Sequence, residues 1–187
     1  MKETLPLYRA ASVVALALLI HGCANMDNFG CDVRTQNARA TKPITTYRPA
    51  QPRPNAAPPY SLPDGSVAQV STYKLTFRPG FTKPCTTVTL HKDVVIQRSN
   101  ETHLILNEVR EFYAEDGTLI ATANQDISEQ VSKSGAYRAT TPLPIPKSAP
   151  PGKYKIVSKL FFERRGERKP ASLVARAEGF FYIIPPQ

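Results

Sequence analysis

The chain reads as all-β: an antiparallel sandwich of about seven strands over residues 67–187, preceded by an extended segment. Three observations predict it. Apolar and polar residues alternate at period two from about residue 67 onward. Turn signals built on proline and glycine recur roughly every 8 to 12 residues. No stretch of 67–187 carries the apolar spacing of an amphipathic helix. A small closed β-barrel is the alternative architecture, because the same alternation would produce it.

The elements follow in order. In "YKLTFR", Tyr73, Leu75 and Phe77 point one way while Lys74, Thr76 and Arg78 point the other. "FRPGFTKPC" breaks the chain with Pro79, Gly80 and Pro84. In "TTVTLHKDVVIQ", Val88, Leu90, Val94 and Ile96 share one parity and Lys92 interrupts it, which predicts a bulge there. "THLILNEVREFYAEDGTLIATA" reads as a hairpin around Glu115, Asp116 and Gly117, since Asp-Gly supplies the positive φ that such turns demand. Residues 124–135 are polar and irregular. One short strand follows around Tyr137, ended by Pro142, Pro144 and Pro146.

"APPGKYKIVSKLFFE" is the clearest element: a proline-glycine turn, then Tyr154, Ile156, Ser158, Leu160 and Phe162 alternating with Lys155, Val157, Lys159 and Phe161. A polar loop precedes "ASLVARAEGFFYII", whose aromatic and β-branched residues close the domain. The run "LPIPKSAPPGKYKIVSKLFFE" resembles the penultimate strand region of bacterial immunoglobulin-like modules, in which a proline-glycine turn leads into a tyrosine-bearing strand. The resemblance covers roughly residues 68–184 and implies an immunoglobulin-like sandwich, a statement about fold and not about function.

Ahead of this domain, Lys2 and Arg9 give a positive start, and Ala10 to Ile20 (AASVVALALLI) is an uncharged apolar run. That is the profile of a signal peptide. A membrane span needs about 20 apolar residues, so the run is too short to be one. The order Ile20, His21, Gly22, Cys23 resembles the lipobox of bacterial lipoproteins, although His21 departs from the small or uncharged residue usual at its position. The resemblance implies removal of residues 1–22 and lipid on the thiol and new amino group of Cys23. With Ala24 next in line, it also implies residence on the outer membrane facing the periplasm. The alternative is an ordinary secretory cut beside small residues such as Gly22 and Ala24, which would release a soluble binding protein. Two or three acyl chains anchor stably where one binds marginally.

Residues 23–66 hold seven prolines between Pro43 and Pro63 and almost no large aliphatics. Such a stem cannot build a core, and it favours extended polyproline II, reaching on the order of 130 Å when fully drawn out. Of the three cysteines, Cys31 and Cys85 remain once Cys23 carries lipid. In an oxidising compartment they form a disulfide or stay as two free thiols. The bond would hold the domain within eight residues of the anchor, and long reach would then be lost.

Charge and chemistry point to contact more than to catalysis. Residues 67–146 carry eight basic and eight acidic side chains, whereas residues 147–187 carry nine basic and three acidic. The excess peaks in "ERRGERK", where Arg164, Arg165, Arg168 and Lys169 form a candidate contact for anionic headgroups, peptidoglycan carboxylates or an acidic partner. The plain alternative is a solvated loop that keeps other sheet edges away. His91 and His103 lie in the second and third strand regions without metal-ligand spacing. Glu108 and Glu111, three apart, cannot share a strand face. No serine elbow, phosphate cradle or cofactor motif is present. The expectation is a noncatalytic envelope lipoprotein without cofactor, metal or nucleic acid; an envelope enzyme assembled from scattered residues is the alternative.

Overall fold

The structure, a computed structural model, describes residues 31, 33, 45–50, 62, 66–99, 103–166 and 171–185. Cys23, the apolar run and most of the stem lie outside the described residues. Among the described residues the chain forms nine strands: β1 (Thr46–Pro49), β2 (Ala68–Arg78), β3 (Phe81–Thr82), β4 (Thr87–Arg98), β5 (Leu104–Tyr113), β6 (Leu119–Asp126), β7 (Gly135–Pro144), β8 (Gly152–Arg164) and β9 (Ser172–Ile183). They make one four-stranded sheet in the order β1-β7-β4-β2 and one five-stranded sheet in the order β3-β9-β8-β5-β6. The protein is an all-β sandwich, with separate sheet edges and no closed barrel. Every pairing is antiparallel except the short β3–β9 contact, where Phe81 and Thr82 run parallel to Tyr182 and Ile183.

Alternation places the core between the sheets. Towards one end Val94, Ile96, Leu104, Leu106, Leu160 and Phe162 pack together, and towards the other Leu75, Val88, Leu90, Ile156, Phe181 and Ile183 do so. The sheets close tightly where β9 meets β2. A Cβ on Gly179 would lie 2.8 Å from a Phe77 ring carbon and 3.1 Å from the Leu75 Cβ, so any side chain there would force the strands apart.

The predicted turns are built as expected. Gly117 adopts φ 84°, and the Thr118 amide donates to Asp116 Oδ1 at 2.9 Å, an Asx arrangement that closes the β5–β6 hairpin. Tyr154, at the start of β8, donates its hydroxyl to the Pro150 carbonyl at 2.8 Å; Tyr137, near the start of β7, donates to the Lys133 carbonyl at 2.7 Å. Each phenol ties a strand to the loop entering it, as in the tyrosine corner of immunoglobulin-like sandwiches.

Three local expectations are corrected. Lys92 lies at no bulge: β4 pairs with β7 without interruption from Thr87 to Ile96, and the irregularity falls in β2 between Val70 and Thr72. Pro142 and Pro144 do not end their strand but lie within β7, opposite Thr89 and Thr87. Among the described residues β1 pairs with β7 only from Tyr137 to Thr140, so both prolines lie beyond its last pair, where a missing N–H removes no β1–β7 ladder bond. The sandwich also begins earlier than residue 67. Thr46–Pro49, inside the proline-rich segment, forms an edge strand, and the Tyr47 amide donates to Gln130 Oε1 at 2.6 Å.

Cys31 and Cys85 are joined by a disulfide with Cα atoms 5.3 Å apart. With β1 in place, five of the stem's seven prolines fall between β1 and β2. They connect two strands of one sheet, so the stem does not act as a spacer of full length. Replacing Cys31 and Cys85 together by serine is expected to lower the unfolding free energy by about 2–4 kcal/mol. The check is a urea titration, which should show an earlier midpoint; an unmoved midpoint would mean that the bond constrains nothing.

Candidate functional site

Inward positions on four strands carry polar groups where neighbouring inward positions are apolar. On β4, Lys92 sits between Leu90 and Val94; on β7, Thr141 between Ala139 and Leu143; on β8, Ser158 between Ile156 and Leu160; on β5, Glu108 and Arg110 follow Leu106. All five are buried. Together they make a polar layer across the middle of the sandwich, dividing the two apolar clusters.

Hydrogen bonds run through the layer and converge on Glu108 Oε1 and the Thr45 hydroxyl, while the buried Glu108 Oε2 has no hydrogen-bond partner among the described residues. Lys92 Nζ donates to Glu108 Oε1 and, at 3.1 Å, to Thr45 Oγ1. Arg110 Nη1 donates to the same threonine oxygen at 2.8 Å. With both lone pairs engaged, the Thr45 hydroxyl turns its proton to Thr141 Oγ1, 2.7 Å away. On the other flank Ser158 donates to Glu108 Oε1 at 2.6 Å, and the Tyr73 hydroxyl lies 2.6 Å from Ser158 Oγ. Gln125 on β6 completes the layer by holding the Thr45 backbone from both sides: its Oε1 accepts from the Thr45 amide at 2.9 Å and its Nε2 donates to the Thr45 carbonyl at 2.8 Å.

The charges respond to this enclosure. Burial pulls Lys92 down to about 8, against the attraction of Glu108 and with the repulsion of Arg110. Burial alone would push Glu108 up, but Lys92 and Arg110, with the hydrogen bonds from Lys92 and Ser158, hold it below the ordinary carboxylate range. Burial and neighbouring Glu108 push the Tyr73 phenol well up. A carboxylate beside two cations favours its own charge, while of the two cations only lysine can yield a proton readily.

Chemically, the arrangement is sealed. The Lys92 and Glu108 side chains are 0% exposed, so no outside molecule reaches the pair without separating the sheets. It is a device for specifying the fold. Lys92, noted in the sequence only as an interruption, and Glu108, weighed only against Glu111, are its centre. Thr45 was not singled out, because it lies in a segment read as stem.

Other candidates fall elsewhere. His91 lies on β4 in the four-stranded sheet, while His103 is exposed just before β5 of the five-stranded sheet, so they are not neighbours across a strand pair. Among the described residues no group of three or more potential metal ligands gathers. Glu108 faces inward and Glu111 outward, where Glu111 Oε1 accepts from Lys159 Nζ at 2.6 Å. Arg164 ends β8, and Arg165 follows it with its amide bonded to the His103 carbonyl at 2.8 Å. Arg168 and Lys169 lie outside the described residues. Arg164 and Arg165 lie at the end of β8 furthest from Gly152, hence at the opposite end of the sandwich from Cys85.

No family model and no curated protein matches the chain. Among solved structures it is similar to the CARDB domain of a Pyrococcus furiosus protein determined in complex with di-metal ions, with 10% identity, a TM-score of 0.38, and coverage of 64% of this chain and 96% of that one. It is also similar to the C-terminal domain of Wzt, with 11% identity, a TM-score of 0.46, and coverage of 80% and 86%. A family 123 glycoside hydrolase from Clostridium perfringens matches at 10% identity and a TM-score of 0.34 over 64% of this chain and 27% of its own. At such values these likenesses add nothing to the site, and the fold assignment rests on the strand pairing itself.

Two outcomes follow from the polar layer. Lys92→Met alone is expected to cost about 3–5 kcal/mol by leaving Glu108 buried without its ammonium, whereas Lys92→Met combined with Glu108→Leu should cost less than the sum of the single changes. Additive losses in a denaturant double-mutant cycle would show that the pair is not coupled. The depressed pKa of Glu108 sets the sign of the acid response: its contribution is present above the unfolded value near 4.5 and is lost as pH falls through the folded value. Stability measured below pH 4.5 should therefore fall less steeply in Glu108→Gln than in the unaltered protein.

Proposed function

We propose that this chain is a noncatalytic cell-envelope lipoprotein, held to a membrane by lipid on Cys23, whose sandwich binds or scaffolds another envelope component. The observation that carries the reading is the Cys31–Cys85 disulfide, an oxidised pair whose first member lies eight residues beyond the candidate lipid-bearing cysteine. Disulfides belong to oxidising compartments, in keeping with the signal-like segment upstream. The order of features along the chain supports the anchor: a charged start, an apolar run too short to span, a small residue, then cysteine.

The interior supports a binding role. Lys92 and Glu108 are bonded to each other and to hydroxyls, and both side chains are sealed from solvent. Contact with a partner then falls to the surface. The short tether from Cys23 to Cys31 keeps the Cys85 end of the domain near the membrane, so Arg164 and Arg165 lie at the far end; Arg168 and Lys169 follow them in the sequence and belong to the same candidate contact. Peptidoglycan carboxylates or an acidic envelope protein suit its guanidinium forks.

In cells, Cys23→Ala is expected to abolish labelling by palmitate and to move the protein from the membrane fraction to the soluble fraction. Unchanged fractionation together with an unlipidated intact mass for the original chain would sink the anchor.

A further inference from the structure

Cys85 lies three residues beyond β3, the strand that edges the five-stranded sheet. The disulfide therefore delivers the N-terminal segment to that edge. The same edge exposes aromatic side chains where a water-facing sheet normally shows polar ones. Phe81 is 64% exposed, Phe180 42% and Tyr182 40%. The Phe81 and Tyr182 rings stack with centroids 5.2 Å apart, and Lys153 Nζ lies 4.2 Å from the centre of the Phe180 ring. Lys153 is opposite Tyr182 in the β8–β9 ladder, Lys155 is opposite Phe180, and Lys83 follows Phe81 by two residues.

Contiguous exposed apolar surface rimmed by charge marks an interaction site. Two features identify the occupant. Aromatic rings carried beside lysines match the water–lipid boundary, where rings settle among headgroups and ammonium groups meet phosphate. Two acids lie near: Glu115 Oε2 accepts from the Lys153 amide at 3.3 Å, and Glu178 pairs with Arg176 at 3.3 Å. The second feature is distance. Eight residues from Cys23 to Cys31 span at most about 28 Å, so lipid at Cys23 would keep Cys31, and Cys85 bonded to it beside this edge, within that distance of the anchor.

We propose that the edge formed by Phe81, Phe180 and Tyr182, with Lys83 and Lys153, sits in the headgroup layer of an anionic phospholipid membrane, so that the domain lies against the membrane that anchors it. This rests on the lipid-anchor reading of Cys23.

The protein has no tryptophan, so Phe81→Trp gives a single reporter at an exposed position. In the chain beginning at Cys23, the other two cysteines are occupied by their disulfide, and the Cys23 thiol can be coupled to a maleimide-bearing phospholipid. The coupled protein is placed in vesicles of phosphatidylethanolamine and phosphatidylglycerol with brominated acyl chains. The expected result is a blue-shifted and quenched emission for Phe81→Trp, but not for Thr76→Trp on the outer face of the four-stranded sheet. Adding Lys83→Glu and Lys153→Glu should relieve the quenching. Unshifted emission from Phe81→Trp, or equal quenching at both sites, overturns the proposal. Because the lipid is attached chemically, this result is independent of palmitate labelling in cells, which tests the anchor by itself.

Discussion

The interaction on which the rest of the structure depends is the bond between Lys92 and Glu108, with the hydroxyls of Thr45, Ser158 and Tyr73 arranged around it. Alternation of apolar and polar residues decides which face of a strand points inward, but it is blind to a slip of two residues. Either side of Lys92, the inward positions of β4 are filled by Val88, Leu90, Val94 and Ile96, which hydrophobicity alone does not tell apart. A slip of β4 by two would keep its parity while moving an ammonium among aliphatics, at a cost of several kcal/mol. The charged rung thus selects one register out of several that hydrophobicity alone would accept.

The pair also links elements that backbone ladders leave apart. Lys92 is in the four-stranded sheet and Glu108 in the five-stranded one, so the bond between them spans the sandwich. Arg110 and Gln125 extend the link to the edge strand β6, and Thr45 to the segment leading into β1. Packing density does the rest, as at Gly179, where the absence of a side chain lets β9 approach Phe77 and Leu75.

Much of this was legible in the sequence. The strands around Tyr73, Leu90, Leu106 and Ile156, the Asp-Gly hairpin and the proline-glycine entry to β8 all follow from alternation and turn chemistry. At the polar layer, local composition obscures parity. Lys92 has the parity of Val88 and Val94, and Ser158 that of Ile156 and Leu160, so a polar rung was there to be read once a charge was permitted inside. Pro142 and Pro144 read locally as stops, because where β1 ceases to pair with β7 is a property of the neighbour and not of β7 itself. β1 itself could not be foreseen: four residues in a proline-rich stretch have no pattern of their own and become a strand only because β7 offers an edge. For the disulfide, the sequence offered the two thiols and the structure their proximity.

The place of Thr45 in the layer has a consequence for assembly. Its hydroxyl meets Thr141, 96 residues later in the chain, and Arg110, 65 residues later. Contacts of such separation form late and make folding slow, because the intervening loop must be closed before they give anything back. A chain emerging N-terminus first would present Thr45 early, and this residue must wait until Thr141 in β7 has followed before it finds its partners. Until then Lys92 and Glu108 lack their cover on that side. A residue that emerges among the first thus completes its contacts only after six further strands have followed.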